Sequence, residues 1–205
     1  VLENFDPVVP EHYLDSDIVM LGNLHPAVQM SVINQVKKPK LIILDTMNFW
    51  MDTTLELLLE VIAKVDVITI NDEEARQLSG EYSLVKAARK ISDMGPKYVV
   101  IKKGEHGALL FYNNEMFFAP ALPLEEIFDP TGAGDTFAGG FSGYLAQTKD
   151  ISFKNMKRAI IHGSNLASFC VEKFGTEKML HLKEEDIRKR LSNFEALTQF
   201  EINLT

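Results

Sequence analysis

The stretch FDPTGAGDTFAGGF, residues 128–141, brings Asp129, Gly132, Gly134 and Asp135 into a short span, and these residue types suit chemistry on a phosphate. A glycine-rich loop that enters a helix presents free backbone N–H groups, and the aligned peptide dipoles add about half a positive charge there. Gly132, Ala133 and Gly134 can therefore hold an anion without a basic side chain. A carboxylate at Asp135 would repel a phosphate that was merely parked at this turn. Its place makes sense if it takes the proton of a hydroxyl attacking phosphorus, while the N–H groups hold the charge that develops on the transferred group. The competing reading is structural: Asp135 caps a helix, and Gly139, Gly140 and Gly143 let helices approach closely. That reading is accepted for the three glycines. For Asp135 it leaves Asp129 and the Gly-Ala-Gly run without a purpose.

More familiar motifs do not fit. A Walker A loop needs Gly-Lys-Ser/Thr and this stretch has no lysine, while the dinucleotide fingerprint needs glycine where Phe137 stands. A nucleophile elbow would need glycine at Tyr144. Elsewhere, VDVITINDEEARQLSG places Asn71 and Glu74 at the mouth of a strand-to-helix turn. That spacing lets Glu74 hold a water of a phosphate-bound Mg²⁺ and Asn71 donate to a phosphate oxygen; it equally describes a helix cap with a capping box. VVIKKGEHGALLF sets Gly104 and Gly107 in a tight turn between two strands. In LDTMNFW, Asn48 follows another strand and is a candidate for reaching substrate or phosphate, with Trp50 equally a packing residue. His12, His25, His106, His162 and His181 are scattered, and no pair has metal-ligand spacing.

The elements that must position these residues follow from the apolar pattern. DIVML (17–21), LIIL (41–44), DVITI (66–70) and YVVIK (98–102) read as strands buried on both faces. Between them, PAVQMSVINQV, TTLELLLEVIAKV and YSLVKAARKISDM read as helices, which implies a parallel sheet with right-handed crossovers. ALLFYNNEMFFAP reads as a hairpin turning at Asn113 and Asn114, and SFKNMKRAIIHGSNLASFCVEKF and KEEDIRKRLSNF as closing helices. No linker or repeat divides the chain, so a single domain over residues 1–205 is expected. In such sheets ligands gather at the carboxyl ends of the strands.

Composition narrows the partners. With 46% apolar and 24% charged residues the chain is globular, and its net charge of −8 disfavours nucleic acid. The basic run IRKR, 187–190, reads as a solvated helix face. No apolar run approaches the ~20 residues that a membrane span needs. The lone Cys170 excludes an internal disulfide and points to packing in a reducing compartment, the cytoplasm.

DPTGAGDTFAGGF resembles the C-terminal signature of the ribokinase (PfkB) family of sugar and nucleoside kinases, Asp-Thr-x-Gly-Ala-Gly-Asp, with Pro130 at the usual threonine. Asn71 and Glu74 resemble the family's Asn-x-x-Glu motif, in the right order, and this favours the Mg²⁺ role over the cap. The resemblance implies a ribokinase-like three-layer α/β/α sandwich with a mostly parallel sheet. It also implies ATP-dependent phosphoryl transfer to a hydroxyl, with Asp135 as general base and Gly132, Ala133 and Gly134 as anion hole. Asp129 and Thr131 match positions that support a monovalent cation, K⁺, in many members. Lys102 and Gly104 are candidate nucleotide contacts, as is Asn165 in GSNLASFCVEKFGT. The family's early Gly-Gly-x-x-x-Asn region is not found and the first residue is Val1, so the N-terminal part and lid are expected to be missing. A nucleotide-binding fragment or pseudokinase is the alternative, and a dinucleotide-dependent oxidoreductase is disfavoured. Acceptor identity and a homodimer stay open.

Overall fold

The apolar runs form a single sheet with helices on both faces. In the computed structural model, which describes residues 5–199 and 201, the order begins β1 (Ile18–Leu21), α1 (Pro26–Gln35), β2 (Leu41–Asp45), α2 (Asn48–Thr53), α3 (Leu55–Ile62). It continues β3 (Val67–Asn71), α4 (Asp72–Ser79), α5 (Leu84–Asp93) and β4 (Tyr98–Lys102). The hairpin β5 (Ala108–Tyr112) and β6 (Glu115–Ala119) follows, then α6 (Ala133–Thr148), α7 (Phe153–Cys170), α8 (Glu177–Leu180) and α9 (Glu184–Thr198). The strands lie side by side in chain order; β1 to β4 are parallel, and β5 and β6 are antiparallel additions. Asn113, at φ 51°, makes the hairpin turn where the sequence places it.

Alternation along each strand sorts the core into two layers. Ile42, Leu44, Ile68 and Ile70 meet Leu58, Ile62, Ala88 and Ile91 of α3 and α5 on one face. Leu41, Ile43, Val67 and Val100 meet Phe137, Phe141, Met156 and Ile160 of α6 and α7 on the other. The same parity carries Asp45, Thr69, Asn71 and Lys102 onto the α6 side, because they continue the rows of Ile43, Val67 and Val100. Parallel strands all finish at one edge, so these polar residues finish there together.

Three expectations are corrected by packing. The helix expected over 53–65 is shorter, Leu55–Ile62, because Thr54 at φ −144° and ψ 42° leaves helical conformation and separates it from α2, which lies almost wholly before the expected segment. Of the three glycines assigned to helix approach only Gly140 fits: a Cβ there would stand 2.9 Å from Leu166 Cδ1 and 3.1 Å from Gly163 Cα, whereas Gly139 and Gly143 have nothing within 4 Å. The run at 187–190 is not solvated throughout, since Arg190 pairs with Glu172, donates to Ser168 Oγ and lies 3.4 Å over the Phe169 ring. Among the described residues no helix is long and apolar enough to cross a membrane.

Candidate active site

The Gly-Ala-Gly turn opens α6. Gly132 is the N-cap at φ 81°, a left-handed conformation that costs a residue with a Cβ roughly 1–2 kcal/mol. Ala133, Gly134 and Asp135 are therefore the first three residues of a long helix; the Ala133 N–H donates to Pro130 O at 3.2 Å, which leaves those of Gly134 and Asp135 as the helix's open donors. Asp135 is exposed and makes no capping bond, so the structural alternative considered for it has no support here. Just before the turn, Asp129 Oδ1 accepts the Thr131 N–H at 2.9 Å, and that bond holds its carboxyl below the usual range. Thr131 O in turn faces the buried Cys170 thiol at 3.8 Å. The Asp129 carboxylate and the Thr131 carbonyl are oxygen donors of the kind a hard cation takes.

At the strand ends, Asn71 Oδ1 accepts the Glu74 N–H and Glu74 Oε2 accepts the Asn71 N–H, each at 2.8 Å. The capping box that the sequence left as second choice is formed, and it uses only one carboxylate oxygen of Glu74. Burial pushes the Glu74 carboxyl up, with Asp45 adding to the rise; the Asn71 N–H, the Lys102 charge and the Asn48 N–H pull it back. Asn48 itself opens α2 and is exposed. Among the described residues no group of three or more His, Cys, Asp or Glu side chains converges as a metal site. A Mg²⁺ ion here would take part of its ligands from phosphate and water, its usual habit, and Glu74 fits as the carboxylate that orients such a water.

Two residues the sequence reading passed over complete the edge. Asp45 closes the otherwise apolar LIILD strand and is 6% exposed. Its Oδ1 accepts the Thr69 hydroxyl at 2.7 Å and pairs with Lys102 Nζ at 2.8 Å. Gln29 of α1 donates to Gly22 O at 2.7 Å and lies 3.4 Å from Asp45 O, tying together the ends of β1 and β2. An acid ending one buried strand, where the next two strands end in Asn and Lys, was the available signal. Trp50, placed between two roles, donates Nε1–H to Asn23 Oδ1 at 2.7 Å and packs edge-on to His25 and Phe49.

A cavity of about 470 Å³ lies beside this edge, bounded by Lys102 and Gly104, by Leu122 and Ile127 of the loop before α6, and by Ala133 and Gly134. Ala167 and Val171 close its far wall. It is an apolar slot with a cation and a helix N-terminus at one end, which suits a planar ring carrying phosphates. Lys102, Gly104, Ala133 and Gly134 are thus brought together. Asn165 is not: it is fully buried and donates to Ile187 O at 3.0 Å, fastening α9 to α7, while Ser164 and Ser168 take the cavity wall. Its assignment to the nucleotide is corrected accordingly.

An open, mostly parallel α/β sheet with its polar strand ends, a glycine-opened helix N-terminus and an apolar slot gathered at one edge places the chain among the α/β proteins with a site at the carboxyl ends of their strands. The match to the family model "pfkB family carbohydrate kinase" covers residues 13–182, and the chain belongs to that family. It is 37% identical to a cytidine kinase of Thermococcus kodakarensis over 142 residues, which is 66% of this chain and 50% of that one. A ribokinase crystal structure from Thermotoga maritima superposes with a TM-score of 0.69 at 27% identity, over 86% of this chain and 57% of that one. The Arabidopsis thaliana ribokinase complexed with ribose and ATP gives 0.71 at 26% identity, over 85% and 55%. The fold is the ribokinase-like three-layer sandwich with a mostly parallel sheet. The chain spans about half the length of the first curated relative it matches.

Proposed function

We propose that this chain carries the phosphoryl-transfer machinery of an ATP-dependent kinase for a hydroxyl of a sugar or nucleoside. The observation that supports it most is the Asp135 carboxylate on the first turn of α6, directly after a Gly-Ala-Gly N-terminus that bounds the slot. In this reading the nucleotide ring lies in the slot between Gly104 and Val171, and its phosphates run toward Lys102 and the N–H groups of Gly132, Ala133 and Gly134. The acceptor oxygen attacks the γ-phosphorus, an O–P bond forms, and the bond to the bridging oxygen breaks with its electron pair leaving on ADP. The hydroxyl proton passes to Asp135. When bound with ATP, Mg²⁺ would neutralise charge on the phosphates. Glu74 would hold one of its waters, Asn71 Nδ2 would donate to phosphate, and Asn48 would stand on the acceptor side. Asp129 and Thr131 would hold K⁺ behind the anion hole. The names of the relatives, a cytidine kinase and a ribokinase, support an acceptor of this class. The reducing, cytoplasmic location expected from Cys170 belongs to the same proposal.

A second reading is nucleotide binding without turnover, which the slot and the helix N-terminus beside it would serve equally. One substitution separates the two. Asp135→Asn should keep ATP affinity and lower the transfer rate at least ~10²-fold, the scale of general-base help. Equal rates in variant and parent, across a screen of sugars and nucleosides, would remove Asp135 from the chemistry. Binding without any transfer by the parent would favour the second reading, and binding of NAD in place of ATP would defeat both.

A further inference from the structure

Lys102 is anchored in a way that the proposed function does not require. Its ammonium is only partly exposed, and its partner is buried Asp45, two strands away in the sheet. Asp45 is itself fixed by the Thr69 hydroxyl at 2.7 Å on the intervening strand. A free lysine at a strand end would extend into solvent, gaining hydration and rotamer freedom. Here the side chain lies back across β3 instead. The outcome is positional: a Cβ built on Gly134 would stand 3.4 Å from Lys102 Nζ, so the cation sits against the second residue of α6 and bounds the phosphate end of the slot.

We infer that Asp45, Thr69 and Lys102 form a cation holder, in which Asp45 is a positioning residue that keeps the Lys102 ammonium beside the Gly132–Gly134 amides to bind the phosphates of the nucleotide. The inference rests on the proposed nucleotide site but assigns Asp45 and Thr69, which that reading leaves without a part. Asp45 cannot itself attract phosphate, since it carries the same sign. Its effect has to pass through the lysine. A cation fixed in advance also loses little freedom when the phosphates arrive.

The test uses the full chain and three probes: ATP, inorganic tripolyphosphate and adenosine, each titrated calorimetrically. Lys102→Met should weaken ATP and tripolyphosphate at least ~10-fold, as expected for loss of a charge-assisted contact, and leave adenosine within about twofold. Asp45→Asn should act in the same direction by a smaller factor. In the Lys102→Met background Asp45→Asn should cause no further loss, because its route is gone. The double variant also leaves no unpaired charge inside, so it reports even if Lys102→Met folds poorly. Lys102→Met that binds ATP and tripolyphosphate as the parent does overturns the cation holder and leaves the kinase reading standing. Equal loss of adenosine, or additive losses from the two substitutions, also overturns it by showing general damage or an independent role. A parent chain that binds neither ATP nor tripolyphosphate sinks the kinase reading, and the cation holder with it.

Discussion

Glu74 closes the capping box with Asn71, and the proposed function gives it a second task. The cap uses one carboxylate oxygen and leaves the other for the strand-end edge. Because burial raises its carboxyl above the ordinary 4.5, the folded chain binds that proton more tightly than the unfolded one. The stabilisation is complete below the ordinary value and is lost as pH rises through the raised one. Gln keeps the capping bond and cannot titrate, so Glu74→Gln should gain stability relative to the parent between acid and neutral pH. Urea unfolding across that range checks the sign, and a constant difference would contradict it. The same variant should show a weaker Mg²⁺ dependence of transfer. At this scale the turn was legible because glycine and acid adjoin in the chain. The ion pair of Asp45 and Lys102 was not, since its partners are 57 positions apart and only strand register brings them together. Asn165 misled for a related reason: its partner, Ile187, belongs to a later helix whose docking face no local pattern reveals.

The pairing of α6 with α7 sets where the first turn of α6 lies. Gly163 is the tight point, because a Cβ there would come 2.7 Å from the Phe137 carbonyl, two residues after Asp135. Gly163→Ala should therefore cost about 1–3 kcal/mol as an overpacked contact and disturb the turn that carries the carboxylate. Gly139→Ala meets open space on the same helix and should instead stabilise by ~0.5–1 kcal/mol through helix propensity. Denaturant midpoints of the two variants should move in opposite directions, and a shared direction would refute the packing argument. Strands β2 to β4 were readable because burial on both faces makes them continuous apolar runs, and β1 is an apolar run as well although Ile18 and Met20 are only partly buried. Helix α2 was not: Asn48–Thr53 is a short segment rich in bulky side chains, and its N-cap makes no side-chain bond.

For the molecule as a whole, the two apolar layers share every central strand, so neither can come apart without exposing the other. Heat or denaturant should unfold both layers in one transition. Trp50, the lone tryptophan, reports on the strand-end region and far-UV circular dichroism on all helices, so the two curves should coincide. Separate midpoints would reveal two independent units. Saturating ATP should raise that common midpoint, by about 2.7 kcal/mol of added stability at a hundredfold excess over Kd. The side-by-side arrangement of strands in chain order has one more outcome. During synthesis each strand from β2 onward finds its hydrogen-bonding neighbour already emerged, so the sheet can grow from one margin without waiting for distant chain. The glycine turn arrives only after the last strand is laid down, so a ribosome-bound intermediate would complete the proposed phosphate site late.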